Sequence, residues 1–335
     1  MARKHRERFA VIILIVLLAF FCVQADLLLI PKQYDYGSMW GRYVKEEKNT
    51  FDVMFFGSSL VYCNIIPAII WQESGASPYV LGGSEQTVPI LYYYLKEAYR
   101  TQTPKYLFIE ATNTFYHDYE GFSVLNVGNM PWTINRLQAT WQAVEKEEWL
   151  GLFFPLYNYH GRWNHLSRRD LQIYFFGYKA DPLAGYTFLG ETEIQDAIVE
   201  IQELPGSYAR NLEYQQKVVD LAASYGSQVV YYISPCVKRP SQPLSQRLEK
   251  DLLAMGDVAF VDFNRDFDSF GFDLHSDFYD NLHLNNRGAE KFSSFLGQYL
   301  LQECGYQPVN NLQDGAWQQR LQAYWAFVEE EMRFR

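Results

Sequence analysis

The stretch DVMFFGSSL, residues 52–60, decides the fold of this chain. Its first part, Asp52–Phe56, is apolar after the initial aspartate, which is typical of a strand buried on both faces of a parallel sheet. Gly57, Ser58 and Ser59 then supply the small residues that favour a turn. Because open α/β sheets place their reactive groups beyond the carboxyl ends of the strands, we expect this turn to border a functional site.

Four further short apolar runs predict strands, and segments with helical spacing lie between and after them. The predicted strands are Pro78–Leu81, Pro104–Ile109, Ser227–Ile233 and Asp257–Phe263. The predicted helices are Thr87–Arg100, Asn211–Tyr225, Ser241–Met255 and Asn286–Cys304. Strands that are apolar throughout and alternate with helices predict an α/β fold, a three-layer α/β/α doubly wound parallel sheet.

A long insertion, residues 115–205, separates the third strand from the helix before the fourth. It exceeds a normal crossover connection and contains a predicted helix, Thr133–Leu150. We expect it to cover the site and contact substrate, because loops beyond strand ends carry function in such sheets. Packing within the insertion is the alternative for each of its aromatic and histidine side chains: Tyr116, His117, Trp132, Trp141, Trp149, Tyr157, Tyr159, His160, Trp163 and His165.

The N-terminus predicts the compartment. Residues 1–8, MARKHRER, form a basic tail, and the 22 residues of 9–30 are apolar apart from an interruption at 24–26. The tail should stay in the cytoplasm by the positive-inside rule, which makes the domain at 31–305 extracytoplasmic. Residues 9–30 are long enough for a single-pass transmembrane signal-anchor in the cell membrane. Cleavage after Val23-Gln24-Ala25 is the alternative.

The C-terminal segment, residues 306–335, contains an amphipathic pattern. Leu312–Phe334 has the apolar spacing of a helix, and we expect this helix to pack on the domain. Docking on a membrane surface is a minor alternative, because Glu329–Glu331 is acidic.

The composition argues against two classes of function. The chain of 335 residues has 29 Lys and Arg against 39 Asp and Glu, a net charge of −10, and no basic cluster beyond the N-terminus. Nucleic acid is therefore excluded as an expected partner. The four cysteines show no CxxC spacing, which argues against a cysteine-based zinc site.

A nucleophilic serine needs a base, and the sequence offers one near the other end of the chain. Asp280-Asn281-Leu282-His283 places a carboxylate three residues before a histidine, so one short turn could orient and support the imidazole. His275, Asp277, Asp280 and His283 could also be read as metal ligands, but no second cluster completes such a site. We therefore expect no metal and no organic cofactor.

Taken together, these motifs resemble the SGNH hydrolase superfamily, which has a flavodoxin-like sheet. The resemblance covers roughly Asp52–Leu301, and Gly57-Ser58-Ser59-Leu60 corresponds to its Gly-Asp-Ser-Leu motif, with Ser58 in the aspartate position. It implies Ser59 as the nucleophile, His283 as the base and Asp280 as the acid. The serine variant is similar to the branch found in envelope acylation proteins, such as those of teichoic-acid D-alanylation or alginate acetylation.

The resemblance also implies an oxyanion hole. The family's Gly-x-Asn-Asp block corresponds to Ala111–Thr114, so Asn113 would donate through its amide, next to the backbone N–H of Ser59. The flanking Gly and Asp of that block are absent. The remaining donor falls in the turn after the second strand, where either Gly83 or Glu85 occupies the family's glycine position.

The expected function is that of a membrane-anchored extracytoplasmic serine esterase or O-acyltransferase. It would act on O-acyl groups, O-acetyl above all, of an envelope or exported polysaccharide. The resemblance further implies a multi-pass membrane acyltransferase as a partner. Hydrolysis and transfer remain open, because both pass through an acyl-enzyme. A catalytically inactive scaffold or glycan-binding partner of a polysaccharide modification system is the alternative.

Overall fold

The computed structural model describes residues 2–32, 40–116, 122–265, 267–308 and 314–333. His117 and positions 312, 313 and 334 of the predicted C-terminal helix lie outside these ranges.

Five parallel strands form the central sheet: β1 (Val53–Gly57), β2 (Pro78–Gly82), β3 (Tyr106–Glu110), β5 (Gln228–Ile233) and β7 (Val258–Asp262). Their order across the sheet is β2-β1-β3-β5-β7. The two strands of a separate parallel pair are β4 (Val199–Ile201) and β6 (Lys238–Pro240). The connection after β1 leads to β2 on one side of the sheet, and the connection after β3 leads to β5 on the other side. The strand order therefore reverses between β1 and β3. A crevice forms at such a switch point, beyond the carboxyl ends of the strands.

The described α-helices are α1 (Ala2–Leu29), α2 (Trp40–Tyr43), α3 (Ser59–Tyr62), α4 (Pro67–Ser74), α5 (Val88–Ala98), α6 (Phe122–Asn129), α7 (Ile134–Ala143), α8 (Trp149–Phe153), α9 (Pro155–Tyr159), α10 (Arg168–Phe176), α11 (Tyr208–Tyr225), α12 (Gln242–Leu253), α13 (Asn286–Gln302) and α14 (Asp314–Arg333). The helices that contact the sheet region fall into two groups with different neighbours. In one group α4 packs against α13 and α14, and in the other α5 packs against α7 and α11, which also contacts α12. This grouping is consistent with a helical layer on each face of the sheet.

The core accounts for much of the aromatic content. The first three strands are buried at every position, and Phe55 stacks on Phe108 across β1 and β3 at 4.8 Å between ring centroids. Aromatic side chains bury large areas and prefer such offset or edge-on contacts, so this cluster stabilises the sheet from within. The predicted packing of the C-terminal helix is confirmed, because Trp317 of α14 stacks on Trp71 of α4 and both Trp317 and Tyr324 are buried.

The predicted helix Thr133–Leu150 is wrong as a single element. Helix α7 ends at Ala143, Val144 and Glu145 are extended, and α8 begins at Trp149 after a 3-10 turn. The break is stabilised locally, because Val144 is buried and its carbonyl accepts a 3.1 Å hydrogen bond from the Trp149 indole. Helical spacing could not reveal this tertiary contact.

The described part of the chain contains one helix that is long and apolar enough to cross a membrane, Lys4–Leu29. It coincides with the predicted anchor, and its side chains are exposed over most of its length. Its carboxyl end contacts α9 and α10 of the insertion.

Candidate active site

Strand β1 brings Ser59 to the carboxyl edge of the sheet. The strand ends at Gly57, Ser58 caps α3, and Ser59 is the first residue of that helix. The Ser58 hydroxyl accepts a 3.4 Å hydrogen bond from the Leu60 N–H and lies 3.5 Å from the hydroxyl of Tyr116. Ser58 is fully buried, whereas Ser59 is partly exposed and lines a cleft.

Three predicted site residues are connected by hydrogen bonds, although Ser59 and His283 are 224 positions apart. The Oγ of Ser59 lies 2.7 Å from Nε2 of His283, and Nδ1 of His283 lies 2.9 and 3.0 Å from the two carboxylate oxygens of Asp280. A ring nitrogen that faces a carboxylate keeps its proton, so Nδ1–H donates to Asp280. This tautomer leaves Nε2 free to accept the Ser59 hydroxyl proton.

The carboxylate of Asp280 is held in one orientation. Its Oδ1 also accepts hydrogen bonds of 2.7 Å from the backbone N–H groups of Leu282 and His283. Partial burial alone would raise the pKa of Asp280, but the hydrogen bonds and the charge attraction from His283 outweigh burial and hold the pKa below its usual value of 3.8. Asp280 is therefore ionised at neutral pH, the state that stabilises a protonated imidazole.

Asn64 fixes the turn that carries His283 against the end of the sheet. This buried side chain accepts a 3.0 Å hydrogen bond from the Leu284 N–H and donates one of 3.0 Å to the Ser234 hydroxyl, just beyond β5. The Tyr279 N–H donates to the His283 carbonyl at 2.9 Å, which closes the turn on itself. Sequence reasoning missed Asn64, because one asparagine after a short helix forms no recognisable pattern.

The two candidates for the second oxyanion donor differ in their backbone hydrogen bonds. The Gly83 N–H donates to the Gly57 carbonyl at 3.2 Å, so it is already engaged at the strand ends. Glu85 has a left-handed backbone, φ 44°, a conformation that glycine adopts most easily, and it lines the cleft beside Ser59. Among the described residues, none accepts a hydrogen bond from the Glu85 N–H. The geometry therefore favours Glu85 over Gly83 as the donor in this turn.

The other two oxyanion candidates, Ser59 and Asn113, differ in burial and in their hydrogen bonds. The Ser59 N–H is the first of α3, and the first N–H groups of a helix have no partner within the helix. Asn113 is fully buried; its Nδ2 donates to the Gln86 carbonyl over a long 3.4 Å, and its Oδ1 has no partner among the described residues. Asn113 does not line the cleft itself, and its side-chain amide contacts the turn at Gln86 instead.

The cleft around Ser59 is small, about 270 Å³. The insertion contributes Phe122, Thr187 and Leu189, and burial raises the pKa of the Glu85 carboxyl that also faces the cleft. The expectation that the insertion covers the site holds only for those three residues. None of the described aromatic and histidine residues singled out from the sequence lines the cleft. Those on α9 and the following 3-10 turn belong to a part of the insertion that packs against α1 instead. The lining consists of Ser59, Tyr62, Cys63, Ser84, Glu85, Phe122, Thr187, Leu189, Tyr279, Asp280 and His283.

The alternative metal interpretation has no support from the geometry. Asp277 is fully buried and its carboxylate pairs with Lys291 at 2.6 Å and with Arg287 at 3.2 Å. His275 is exposed beside Asp273, outside the cleft. Over the ranges that the structure covers, no group of three or more His, Cys, Asp or Glu side chains could hold a metal ion.

Comparisons with known proteins found no family model that matches the chain and no match among curated proteins. The chemistry must therefore be inferred from the site. A serine hydroxyl in contact with a carboxylate-supported imidazole, at the edge of an open cleft, can be deprotonated as it attacks a carbonyl carbon.

Proposed function

We propose that this chain is a membrane-anchored serine acyl-ester enzyme of the SGNH type, with Ser59 as nucleophile, His283 as general base and Asp280 as the acid that orients it. The observation that carries the proposal is the 2.7 Å contact between Ser59 Oγ and His283 Nε2, with both Asp280 oxygens at Nδ1. Three polar residues from the two ends of the chain meet at the carboxyl edge of the sheet, where α/β proteins bind substrates.

The proposed reaction has two halves. Ser59 Oγ attacks the ester carbonyl carbon while its proton passes to Nε2 of His283, and the carbonyl oxygen takes the negative charge. In this proposal the backbone N–H groups of Ser59 and Glu85 stabilise that charge, and Asn113 supports the turn through its hydrogen bond to the Gln86 carbonyl. The tetrahedral intermediate then expels the alcohol, which takes the proton from His283, and an acyl group stays on Ser59.

In the second half, water or a sugar hydroxyl gives its proton to His283 and attacks the acyl carbon. Water yields a free acid, and a sugar hydroxyl yields a new ester; Ser59 recovers its proton in either case. We propose an O-acetyl group on an envelope or exported polysaccharide as the cargo. Support comes from the apolar helix behind a basic tail, since the positive-inside rule favours an orientation with the domain outside the cytoplasm.

The test combines turnover with covalent labelling of the full chain in detergent micelles. Acetyl release from a chromogenic acetate ester measures hydrolysis. A fluorophosphonate probe measures the activated serine, because the serine oxygen displaces fluoride from phosphorus without any acceptor. We expect Ser59→Ala and His283→Gln to lose both signals, and peptide mass analysis to place the phosphonyl group on Ser59.

Matched controls exist elsewhere in the chain. Ser224→Ala removes an exposed serine on α11, and His275→Gln removes an exposed histidine eight positions before His283; both variants should keep full activity. Labelling of Ser59 without ester hydrolysis would identify a transferase. If the native chain is neither hydrolytic nor labelled beyond Ser59→Ala, the enzyme proposal fails and the scaffold alternative replaces it. Turnover of lipid esters but of no acetylated glycan would overturn the proposed substrate class.

A further inference from the structure

The insertion is attached to the carboxyl end of α1 by specific contacts. Helices α9 and α10 and the 3-10 turn between them pack against α1. Three hydrogen bonds join the two parts: Tyr174 Oη to Gln24 Oε1 at 2.7 Å, the Leu156 N–H to Asp26 Oδ1 at 2.5 Å, and Arg162 to the Leu29 carbonyl at 2.5 Å. The height of the insertion along α1 is therefore fixed.

The position of these contacts along α1 sets their depth in a bilayer. A helix rises about 1.5 Å per residue, so about 20 residues cross the hydrocarbon core of about 30 Å. Counted from Phe9, the first apolar residue after the basic tail, the crossing ends near Leu28. Gln24, Asp26 and Leu29 thus lie within about 6 Å of the outer boundary. The groups that bond to them, Tyr174, Arg162 and the Leu156 N–H, therefore lie near the level of the lipid headgroups.

The same part of the insertion exposes many large apolar side chains. Phe176 is 86% exposed and Phe175 69%, although large apolar patches are uncommon on surfaces that face water only. Tyr and Trp are enriched where membranes meet water, and both occur here. The exposed set is Leu150, Phe154, Tyr157, Trp163, Leu171, Phe175 and Phe176.

The charge of this region is opposite to that of the chain as a whole. Residues 149–179 carry four basic residues and one acidic residue, Asp170, within a chain of net charge −10. Arg168 and Arg169 are exposed at the start of α10, next to the apolar set. Basic residues beside exposed aromatic ones are the pattern of a surface that binds anionic lipid headgroups while its apolar side chains enter the leaflet.

We propose that residues 149–179 form a membrane-docking face that inserts into the outer leaflet beside α1. The occupant is lipid, because this face is continuous with the helix that crosses the bilayer and lies at the height of the headgroups. Docking at a second point fixes the tilt of the domain, so the Ser59 cleft keeps a constant distance from the membrane. This inference does not depend on the chemistry at Ser59.

The test uses the full chain reconstituted in vesicles of phosphatidylcholine and phosphatidylglycerol. Phe154→Cys and Phe176→Cys, each in a background with Cys22→Ser and Cys304→Ser, carry an environment-sensitive fluorophore. Leu253→Cys is the matched control, since Leu253 is exposed to 45% on α12, far along the chain from the insertion. We expect blue-shifted emission and quenching by lipid-attached nitroxide at 154 and 176, and quenching by aqueous iodide at 253.

Two results would overturn the proposal. Equal access of iodide to positions 154, 176 and 253 in vesicles would show that the face remains in water. Protection of 154 and 176 in native membranes, but not in vesicles of lipid alone, would show that a membrane protein rather than lipid covers the face. Ester hydrolysis by the same preparations reports on the proposed function separately.

Discussion

Replacing Asp280 by asparagine tests whether the carboxylate sets the tautomer of His283. In the native site, Asp280 Oδ1 accepts two backbone hydrogen bonds, and the ring Nδ1–H faces both carboxylate oxygens. The asparagine side chain must keep its oxygen toward the backbone N–H groups of Leu282 and His283, so its NH₂ group faces Nδ1. The ring proton then moves to Nε2, which donates to Ser59 instead of accepting its proton.

The expected effect is large on turnover and small on folding. Loss of the correct tautomer in a Ser-His-Asp site lowers kcat by about 10⁴-fold, equivalent to about 5.5 kcal/mol of barrier. The two backbone hydrogen bonds are retained, so the free energy of unfolding should change by about 1 kcal/mol or less. The assay is kcat for the chromogenic acetate ester, together with thermal unfolding of each variant.

Two controls distinguish an effect of the His283 tautomer on kcat from an effect of losing one negative charge. Asp273→Asn removes an exposed carboxylate beside His275 and should leave kcat unchanged. The double variant Asp280→Asn with Ser59→Ala should be no slower than Ser59→Ala alone, since residues that act as a unit are not additive. Retention of activity within about tenfold of native by Asp280→Asn would refute the reasoning, since the base would then not depend on its carboxylate partner.

Three further predictions concern residues around the site. Asn64→Ala leaves the buried Leu284 N–H and Ser234 hydroxyl without their partner, so we expect a loss of about 1–3 kcal/mol in unfolding free energy and a lower kcat. An unchanged unfolding free energy together with an unchanged kcat would contradict the role of Asn64. Burial, only partly offset by hydrogen bonds from Thr112 and Ser234, raises the pKa of Glu110 to about 7 from its usual 4.5. The folded chain therefore binds this proton more tightly than the unfolded chain, so the native protein should lose up to about 3 kcal/mol of unfolding free energy as pH rises from about 4.5 to 7. Glu110→Gln should reduce the fall in unfolding temperature over this pH range. Parallel curves of unfolding temperature against pH for the two proteins would refute this prediction. Glu85 has a left-handed backbone, which glycine adopts easily and a β-branched residue does not. Glu85→Gly keeps the backbone N–H and should retain activity, with a change in unfolding free energy of about 1 kcal/mol or less, whereas Glu85→Val should lose activity and stability. Measurements of kcat and of thermal unfolding for both variants test this prediction.

The sequence alone determined the sheet, because its strands are short apolar runs and three of them are buried at every position. Runs such as 53–56 and 229–233 are apolar without alternation, and only a parallel sheet covered on both sides buries them fully. All five predicted strands of the central sheet are confirmed, and so are the four helices predicted between and after them, whereas Thr133–Leu150 divides into two helices. The contact between Asp280 and His283 could be predicted from sequence because both residues lie in one turn. The contact of His283 with Ser59 was predicted only from the family resemblance.

Only the tertiary structure decided features that depend on contacts between distant residues. Asn64 reaches the His283 turn across 220 positions, and the Gly83 N–H is engaged by the Gly57 carbonyl of a neighbouring strand. The insertion was expected over the site from its place in the chain, yet α9 and α10 bind α1. The residues of the insertion that contact α1 lie more than 120 positions from it in the sequence, so the sequence pattern does not show which element they pack against.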